Sequence, residues 1–277
     1  MKIAVLSGKG GTGKTTVSTN MAISLKDAVI LDCDVEEPNS HIFMKPDITD
    51  TVSVKAEYPV VDANKCNLCG KCGDFCNFNA IIPTKKNVLV FKEICHACGG
   101  CQLVCPTNAI EYKKREIGKI YTGKTIYGNI LSSGELIVGE MSGIGIIKGL
   151  FEGASKEELV IVDAPPGTAC STVAAVESVD YAIIVTEPTP FGVSDMKMVV
   201  EMLREMKIPF GLVINKAGLG DDEIYEYVKE EEIEILMEIP FDEEIAKLYS
   251  VGTAFVTEKT EYKEKFQKMY ENIKTKF

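Results

Sequence analysis

The 277-residue chain has no stretch approaching the roughly 18 uninterrupted apolar residues that a membrane-spanning helix needs. It has no basic surplus either: 41 acidic against 30 basic side chains leave a formal net charge of −11. That balance argues against broad, unassisted binding to the nucleic-acid backbone and leaves only a local basic patch as a route to it. The opening residues "MKIAVLSGKGGTGK" pass from a short apolar strand into a glycine loop, without the h-region or cleavage site of a secretory signal. A soluble, cytoplasmic protein is expected, a setting in which disulfides are out of place. What the chain does have is ten cysteines, most of them clustered at metal-ligand spacing, which points to metal binding.

An apolar content of 45% supports one large domain, or a medium domain with a small module. Short apolar runs recur at 2–7, 28–34, 159–165, 181–188, 210–216 and 233–240, with helical patterns between most of them, as at 15–26, 193–206 and 221–232. Near-continuously apolar strands alternating with helices predict an α/β fold, a doubly wound and mostly parallel sheet covered on both faces. The rhythm stops after about Asn39 and resumes near Ser142, and eight of the ten cysteines lie in the gap. The division predicted is a discontinuous α/β domain over 1–55 and 140–277, a small α+β insert over 56–114, and a β-hairpin connector over 115–139.

"GKGGTGKT", Gly8 to Thr15, fits G-x-x-x-x-G-K-[ST] and lies between the first strand and the first helix, the context that this phosphate-binding motif requires. Gly8, Gly10, Gly11 and Gly13 let the backbone curl so that its N–H groups and the positive helix end face phosphates. Lys14 is suited to neutralise the β- and γ-phosphates and Thr15 to ligate Mg²⁺, with Thr12 and Thr16 completing the ATP and Mg²⁺ set. Asp32, Asp34 and Asp163 end apolar strands, where parallel sheets bind ligands, and carboxylates there can hold Mg²⁺ through water and orient an attacking water.

The second lysine of the loop, Lys9, makes it resemble the deviant Walker A ATPases, the family of MinD, ParA, Mrp and the nitrogenase iron protein. In that family the early lysine reaches across a dimer interface to the nucleotide of the other subunit. The resemblance therefore implies an ATP-dependent homodimer in which Lys9, Lys14 and Asp34 are catalytic. It also implies that Asp34 positions the water, Asp32 supports the metal, Asp163 is the Walker B aspartate and Asn215 contacts adenine. "DAPPGT" is closest to the Mrp branch, whose members carry iron–sulfur clusters, and the resemblance covers roughly 1–45 and 140–277.

Cys66, Cys69, Cys72 and Cys76 follow C-x-x-C-x-x-C-x-x-x-C, and Cys95, Cys98, Cys101 and Cys105 repeat it, the last followed by Pro106. This doubled run is the signature of a bacterial two-cluster ferredoxin, in which the fourth cysteine of each run ligates the other cluster. One [4Fe–4S] cluster is thus assigned to Cys66, Cys69, Cys72 and Cys105, and the second to Cys76, Cys95, Cys98 and Cys101. Zinc also takes four thiolates, but two identical four-part runs favour iron. Asn77 stands where the second run has Pro106, so a different local turn is expected there. His96 reads as a solvated loop residue, Cys33 as a core residue, and Cys170 as a packed helix thiol. Cys170 also lies seven residues after Asp163, the offset at which the nitrogenase iron protein places a ligand of its bridging cluster.

The leading expectation is an Mg²⁺-dependent ATPase that couples the nucleotide state of a homodimer to electron transfer through two [4Fe–4S] clusters. Its further partner is an unidentified redox protein or an apo iron–sulfur protein. The alternatives are an Mrp-like cluster carrier and a MinD/ParA-like partitioning switch with structural clusters. Nucleic acid and membrane are not expected partners. The one route to a membrane is the amphipathic C-terminal stripe of Tyr262, Phe266, Met269, Tyr270, Ile273 and Phe277, which is expected to pack on the sheet instead.

Overall fold

The computed structural model describes residues 1–220 and 222–277; Asp221, the predicted start of one helix, lies outside the described residues. The apolar runs form strands β1 (Lys2–Leu6) and β2 (Val29–Asp32), with helix α1 (Lys14–Ser24) between them. A short α2 (Ser40–Met44) follows, and then the long β3 (Asp47–Val61). The cysteine region holds α3 (Lys71–Phe75), the strands β4 (Ile81–Pro83) and β5 (Val88–Val90), and α4 (Gly100–Leu103). The return is made by β6 (Ile110–Lys124) and β7 (Ile130–Leu136). Alternation then resumes through α5 (Ile144–Gly153), β8 (Val160–Asp163), α6 (Cys170–Val176), β9 (Tyr181–Thr186) and α7 (Pro190–Glu205). It ends with β10 (Phe210–Ala217), α8 (Glu223–Glu230), β11 (Ile235–Pro240), α9 (Glu243–Ser250) and α10 (Glu261–Lys274).

Among the described residues, nine strands form one sheet in the order β11-β10-β9-β1-β8-β2-β7-β6-β3. From β11 to β7 every neighbour is parallel, and β6 and β3 add antiparallel strands at one edge. The α/β class with a mostly parallel sheet agrees with the sequence. Both faces are covered, as continuous apolar strands require. One core joins β-strand residues to Ile146, Val200 and Ile224 from α5, α7 and α8. The other joins them to Val17, Met21 and Phe266 from α1 and α10. Four of the six residues of the C-terminal stripe, Tyr262, Phe266, Met269 and Ile273, are buried in the core, whereas Tyr270 is half-buried and Phe277, past the end of α10, is exposed. Truncating Phe266 to alanine would cost about 3–5 kcal/mol, the usual loss for a buried ring. No helix among the described residues is long and apolar enough to cross a membrane.

The stretch 115–139, expected as a β-hairpin connector, supplies the last ten of the 15 residues of β6 and all of β7, both of which are strands of the main sheet. The sequence boundaries at 55/56 and 114/115 fall inside β3 and β6. These two 15-residue strands pair along their length, from Asp47↔Lys124 to Val61↔Ile110, and carry the cysteine region at the far end of the ribbon. A third, small core of Ile81, Cys101 and Ile110 lies there, packed by Val61, Val88, Val90 and Tyr112.

Candidate functional site

The strand order brings three chain segments to one point. Asp163 is in register with Val5 of β1 on one side and with Asp32 of β2 on the other. The loop leaving β1 therefore arches over two buried carboxylates. Gly13 ends that loop with φ 96°, and a Cβ there would stand 2.2 Å from the Asn215 side-chain nitrogen, so only glycine fits. It also begins α1 without a side-chain cap, and no acid stands in the first turn of the helix. The first N–H groups of the helix are left for an anion. Buried nearby is the Thr12 hydroxyl, which has no partner among the described residues.

Lys14 is the cation of this cluster. Its ammonium lies 3.1 Å from Asp34 Oδ2 and 3.5 Å from Asp163 Oδ1. Burial works to lower its pKa, but the charges of Asp163, Asp34 and Asp32 outweigh burial and hold it above the ordinary lysine value. Burial, reinforced by the Asp163 charge, pushes the Asp32 carboxyl up to about 7, against the Ser40 N–H and Lys14. Asp34 is raised too, with burial outweighing its bond to Lys14. Asp32 accepts N–H groups from Asn39 at 3.1 Å and Ser40 at 2.9 Å, and Asp163 accepts the Ser40 hydroxyl at 3.2 Å. Three carboxylates facing one lysine form a site short of positive charge, as a carboxylate-bound Mg²⁺ site is before its ion arrives.

A cavity of about 830 Å³ opens over this cluster. Its lining includes Gly10, Gly11, Gly13, Lys14, Thr15 and Thr16 from the loop and the start of α1, with Asp34, Asn215, Lys216, Phe241 and Tyr249. The Asn215 side-chain nitrogen donates to Thr12 O at 2.8 Å, so this residue braces the loop as well as lining the cavity. Lys9 is one-third exposed and lies 3.2 Å from Glu187 Oε1. Gly8 packs on the Asp195 backbone, where a Cβ would stand 2.3 Å from the carbonyl oxygen. Ser40 and Glu187 are site residues that sequence reasoning missed. Glu187 immediately follows the last residue of the buried strand β9, close to the position that Asp163 holds on β8, and that signal could have found it; Ser40 carries no such mark. Cys170, expected as a packed thiol, is exposed at the first residue of α6, whereas Cys33 is buried as expected.

The eight cysteines of the insert line two separate cavities. Cys66, Cys69, Cys72 and Cys105 line one, of about 20 Å³, together with Val61, Pro83, Val88 and Ile110. Cys76, Cys95, Cys98 and Cys101 line the other, of about 50 Å³, together with Ala80, Ile81 and Tyr112. Each set takes its fourth cysteine from the other run. No group of three or more His, Cys, Asp or Glu among the described residues forms a single-ion site.

The two runs are folded alike. From Cys66 to Cys95 the offset is 29 residues, and the same offset relates Gly70 to Gly99, both left-handed, and Leu68 to Ala97, both at positive φ. It also relates two bonds that cross between the runs, Asp62 N to Ala109 O at 2.7 Å and Phe91 N to Ala80 O at 2.8 Å. The turn after Cys76, expected to differ because Asn77 replaces proline, does not. Asn79 N donates to Cys76 O just as Asn108 N donates to Cys105 O, with φ 52° and 51°. Backbone N–H groups reach sulfur at Ala97 to Cys95 (3.4 Å) and Ala109 to Cys105 (3.2 Å), and the Tyr112 hydroxyl lies 3.2 Å from Cys101 Sγ. His96 is exposed and stacks on Phe78 with centroids 3.8 Å apart.

The profile of the CobQ/CobB/MinD/ParA nucleotide-binding domain matches residues 3–255. An uncharacterised protein of Methanocaldococcus jannaschii is 37% identical over 99% of this chain and 96% of its own length. An iron–sulfur cluster carrier protein of Aquifex aeolicus is 26% identical over 92% of this chain and 61% of its own length. The septum site-determining protein MinD of Pyrococcus horikoshii, complexed with Mg-ADP, matches with a TM-score of 0.59 at 20% identity, over 98% of this chain and 95% of that one. Fold, loop and relatives together define a P-loop ATPase. The chain belongs to the CobQ/CobB/MinD/ParA nucleotide-binding family.

Proposed function

We propose that the protein is a homodimeric, Mg²⁺-dependent ATPase that couples its nucleotide state to electron transfer through two [4Fe–4S] clusters. The observation that carries the reading is the pair of cavities, each lined by four cysteines drawn three from one run and one from the other. A cubane takes one thiolate per iron, so its ligands stand around a void; four ligands of one zinc ion converge on a point. The donor set is therefore of the kind that fits a cluster. Bound there, the clusters supply one-electron chemistry. The chain supplies eight thiolates, apolar walls and N–H···S bonds, which are the features that set cluster potential. A reducing cytoplasm keeps such thiols available.

At the nucleotide end, ATP phosphates compete with Asp34 and Asp163 for Lys14. As Lys14 turns to the phosphates, the carboxylates of Asp32, Asp34 and Asp163 lose their counter-charge and become ligands or water-mediated holders for Mg²⁺, with Thr15. Asp34, the one of the three carboxylates that is not fully buried, is assigned to orient the water. Lys9 completes the site from the other subunit after leaving Glu187. Asn215 holds the loop in shape through Thr12 O and, as a residue lining the same cavity, is assigned to contact the base.

The cluster-carrier name of a 26% identical relative favours a second reading, in which intact clusters pass to apo-proteins. Anaerobically purified protein separates the two. Coupling to electron transfer predicts that, once the clusters have been reduced with dithionite and the excess removed, Mg-ATP accelerates one-electron transfer to an acceptor, each cluster giving up one electron while its iron stays on the chain. Iron and sulfide that move together to an apo-acceptor, faster with ATP, would replace the first reading by the second.

A further inference from the structure

Arg115 joins the two sites. It sits on β6 where the ribbon leaves the sheet, and its mostly buried side chain forks in two directions. One nitrogen, Nη2, donates to the Lys92 carbonyl at 2.7 Å, and the other, Nη1, pairs with the Glu140 carboxylate. The Lys92 carbonyl also accepts the Cys95 N–H, closing the single turn that presents the first cysteine of the second run. Arg115 therefore bears on the backbone group that sets Cys95.

Glu140 belongs to the segment that runs from the last residue of β7 to the start of α5, and this segment touches the nucleotide side. Leu136 N donates to Val35 O at 2.8 Å, and Gly143 lies so close to Val35 that a Cβ would stand 2.3 Å from its Cγ2. Val35 lines the nucleotide cavity and follows Asp34, which holds Lys14. The chain of contact runs Lys14, Asp34, Val35, segment 136–143, Glu140, Arg115, Lys92, Cys95.

The arrangement has the properties of a switch. Lys14 has two alternative partners, the carboxylates or a phosphate, so the Asp34 end has two states. The guanidinium is a rigid planar fork, so moving Glu140 rotates the arm that holds Lys92. The Arg115 Nε is buried with no partner among the described residues. An orphaned buried donor is destabilising, so a second arrangement of this side chain is within reach. We propose that Arg115 is the positioning residue through which nucleotide state acts on the Cys95 turn. This rests on the coupling proposed above and names the residue that carries it.

The test is amide hydrogen exchange over residues 92–98 in the full chain, purified anaerobically, with and without a non-hydrolysable Mg-ATP analogue. In the wild type the analogue should change exchange on the order of fivefold or more, the lower end of coupling between distant sites. R115Q and E140Q should lose that response while still binding the analogue, and R115K, which keeps a cation, should regain part of it. An R115Q protein that responds as the wild type does overturns the assignment, as does a wild type without a response. If R115Q does not fold, E140Q, which leaves the Lys92 arm in place, decides by the same comparison. Iron and sulfide content of the same samples reports separately on the cluster reading, so failure of one is distinguishable from failure of the other.

Discussion

The Lys9 ammonium lies 3.2 Å from the Glu187 carboxylate of its own chain, and the same carboxylate takes Lys216 at 2.9 Å. Burial works against ionisation of Glu187, but its bonds to Lys216 and Lys9 outweigh it and hold the carboxyl below its ordinary range. A lysine that serves a second subunit must leave this partner first. E187Q should therefore strengthen ATP-dependent self-association by roughly fivefold, about 1 kcal/mol for a partly exposed pair. K9A should abolish it. Sedimentation with a non-hydrolysable analogue reads both, and unchanged association of E187Q would mean that the pair does not restrain Lys9.

Lys14 is the cation that faces Asp32, Asp34 and Asp163. Removing one partner of a buried charge cluster is costly, about 3–5 kcal/mol where the remaining charge cannot neutralise. K14Q should lower the melting temperature of the nucleotide-free protein, and added Mg²⁺ should recover part of the loss because it supplies the missing charge. Hydrolysis should fall by at least about a hundredfold, the scale for removing one donor at a developing charge. A K14Q protein as stable as the wild type without Mg²⁺ would show that the carboxylates are not in tension.

Asp32 carries a pH signature of its own. Its folded-state carboxyl sits at about 7 because burial and Asp163 oppose its ionisation, whereas the ordinary value is 3.8. Between these values the folded state keeps a proton that the unfolded chain releases, so stability falls as pH rises through the window and the penalty is complete above about 7. D32N removes this term. Relative to the wild type, nucleotide-free D32N should gain stability from pH 4 to 7, by on the order of a few kcal/mol at the upper end. A difference between the two proteins that does not vary with pH would contradict the assignment.

The crossing of the cysteine sets gives a prediction that sequence position alone does not. Cys105 closes the cavity of Cys66, Cys69 and Cys72, and Cys76 closes that of Cys95, Cys98 and Cys101. C105S should therefore perturb the electron paramagnetic resonance signal of the cluster that C66S perturbs, and C76S the signal that C95S perturbs. If C105S instead matched C95S, the two runs would be independent sites.

Much of this molecule was legible because its signals are local. The runs in β1, β2 and β8 are apolar at almost every position since both faces of a parallel strand are covered, and the phosphate loop and cysteine runs are spacings of a few residues. What escaped is held by partners far away in sequence. Strand β3 is exposed over its first seven residues and alternates only between half-buried and exposed positions from Val54 to Tyr58, and its length is set by pairing with β6. That is why the domain boundaries drawn from composition fall inside strands. Ser40, Tyr112 and Arg115 act through side-chain contacts that no motif spacing marks. Cys170 reads as apolar in sequence, but it lies at an exposed helix start.

Nucleotide binding at Lys14 and the redox state of the clusters are proposed to be coupled. The most direct measurement is a redox titration of the anaerobically prepared, cluster-loaded protein, followed by electron paramagnetic resonance, with and without Mg-ATP. The account predicts two resolved clusters and a midpoint potential that shifts when Mg-ATP binds. Two clusters whose potentials are the same in both titrations would contradict it.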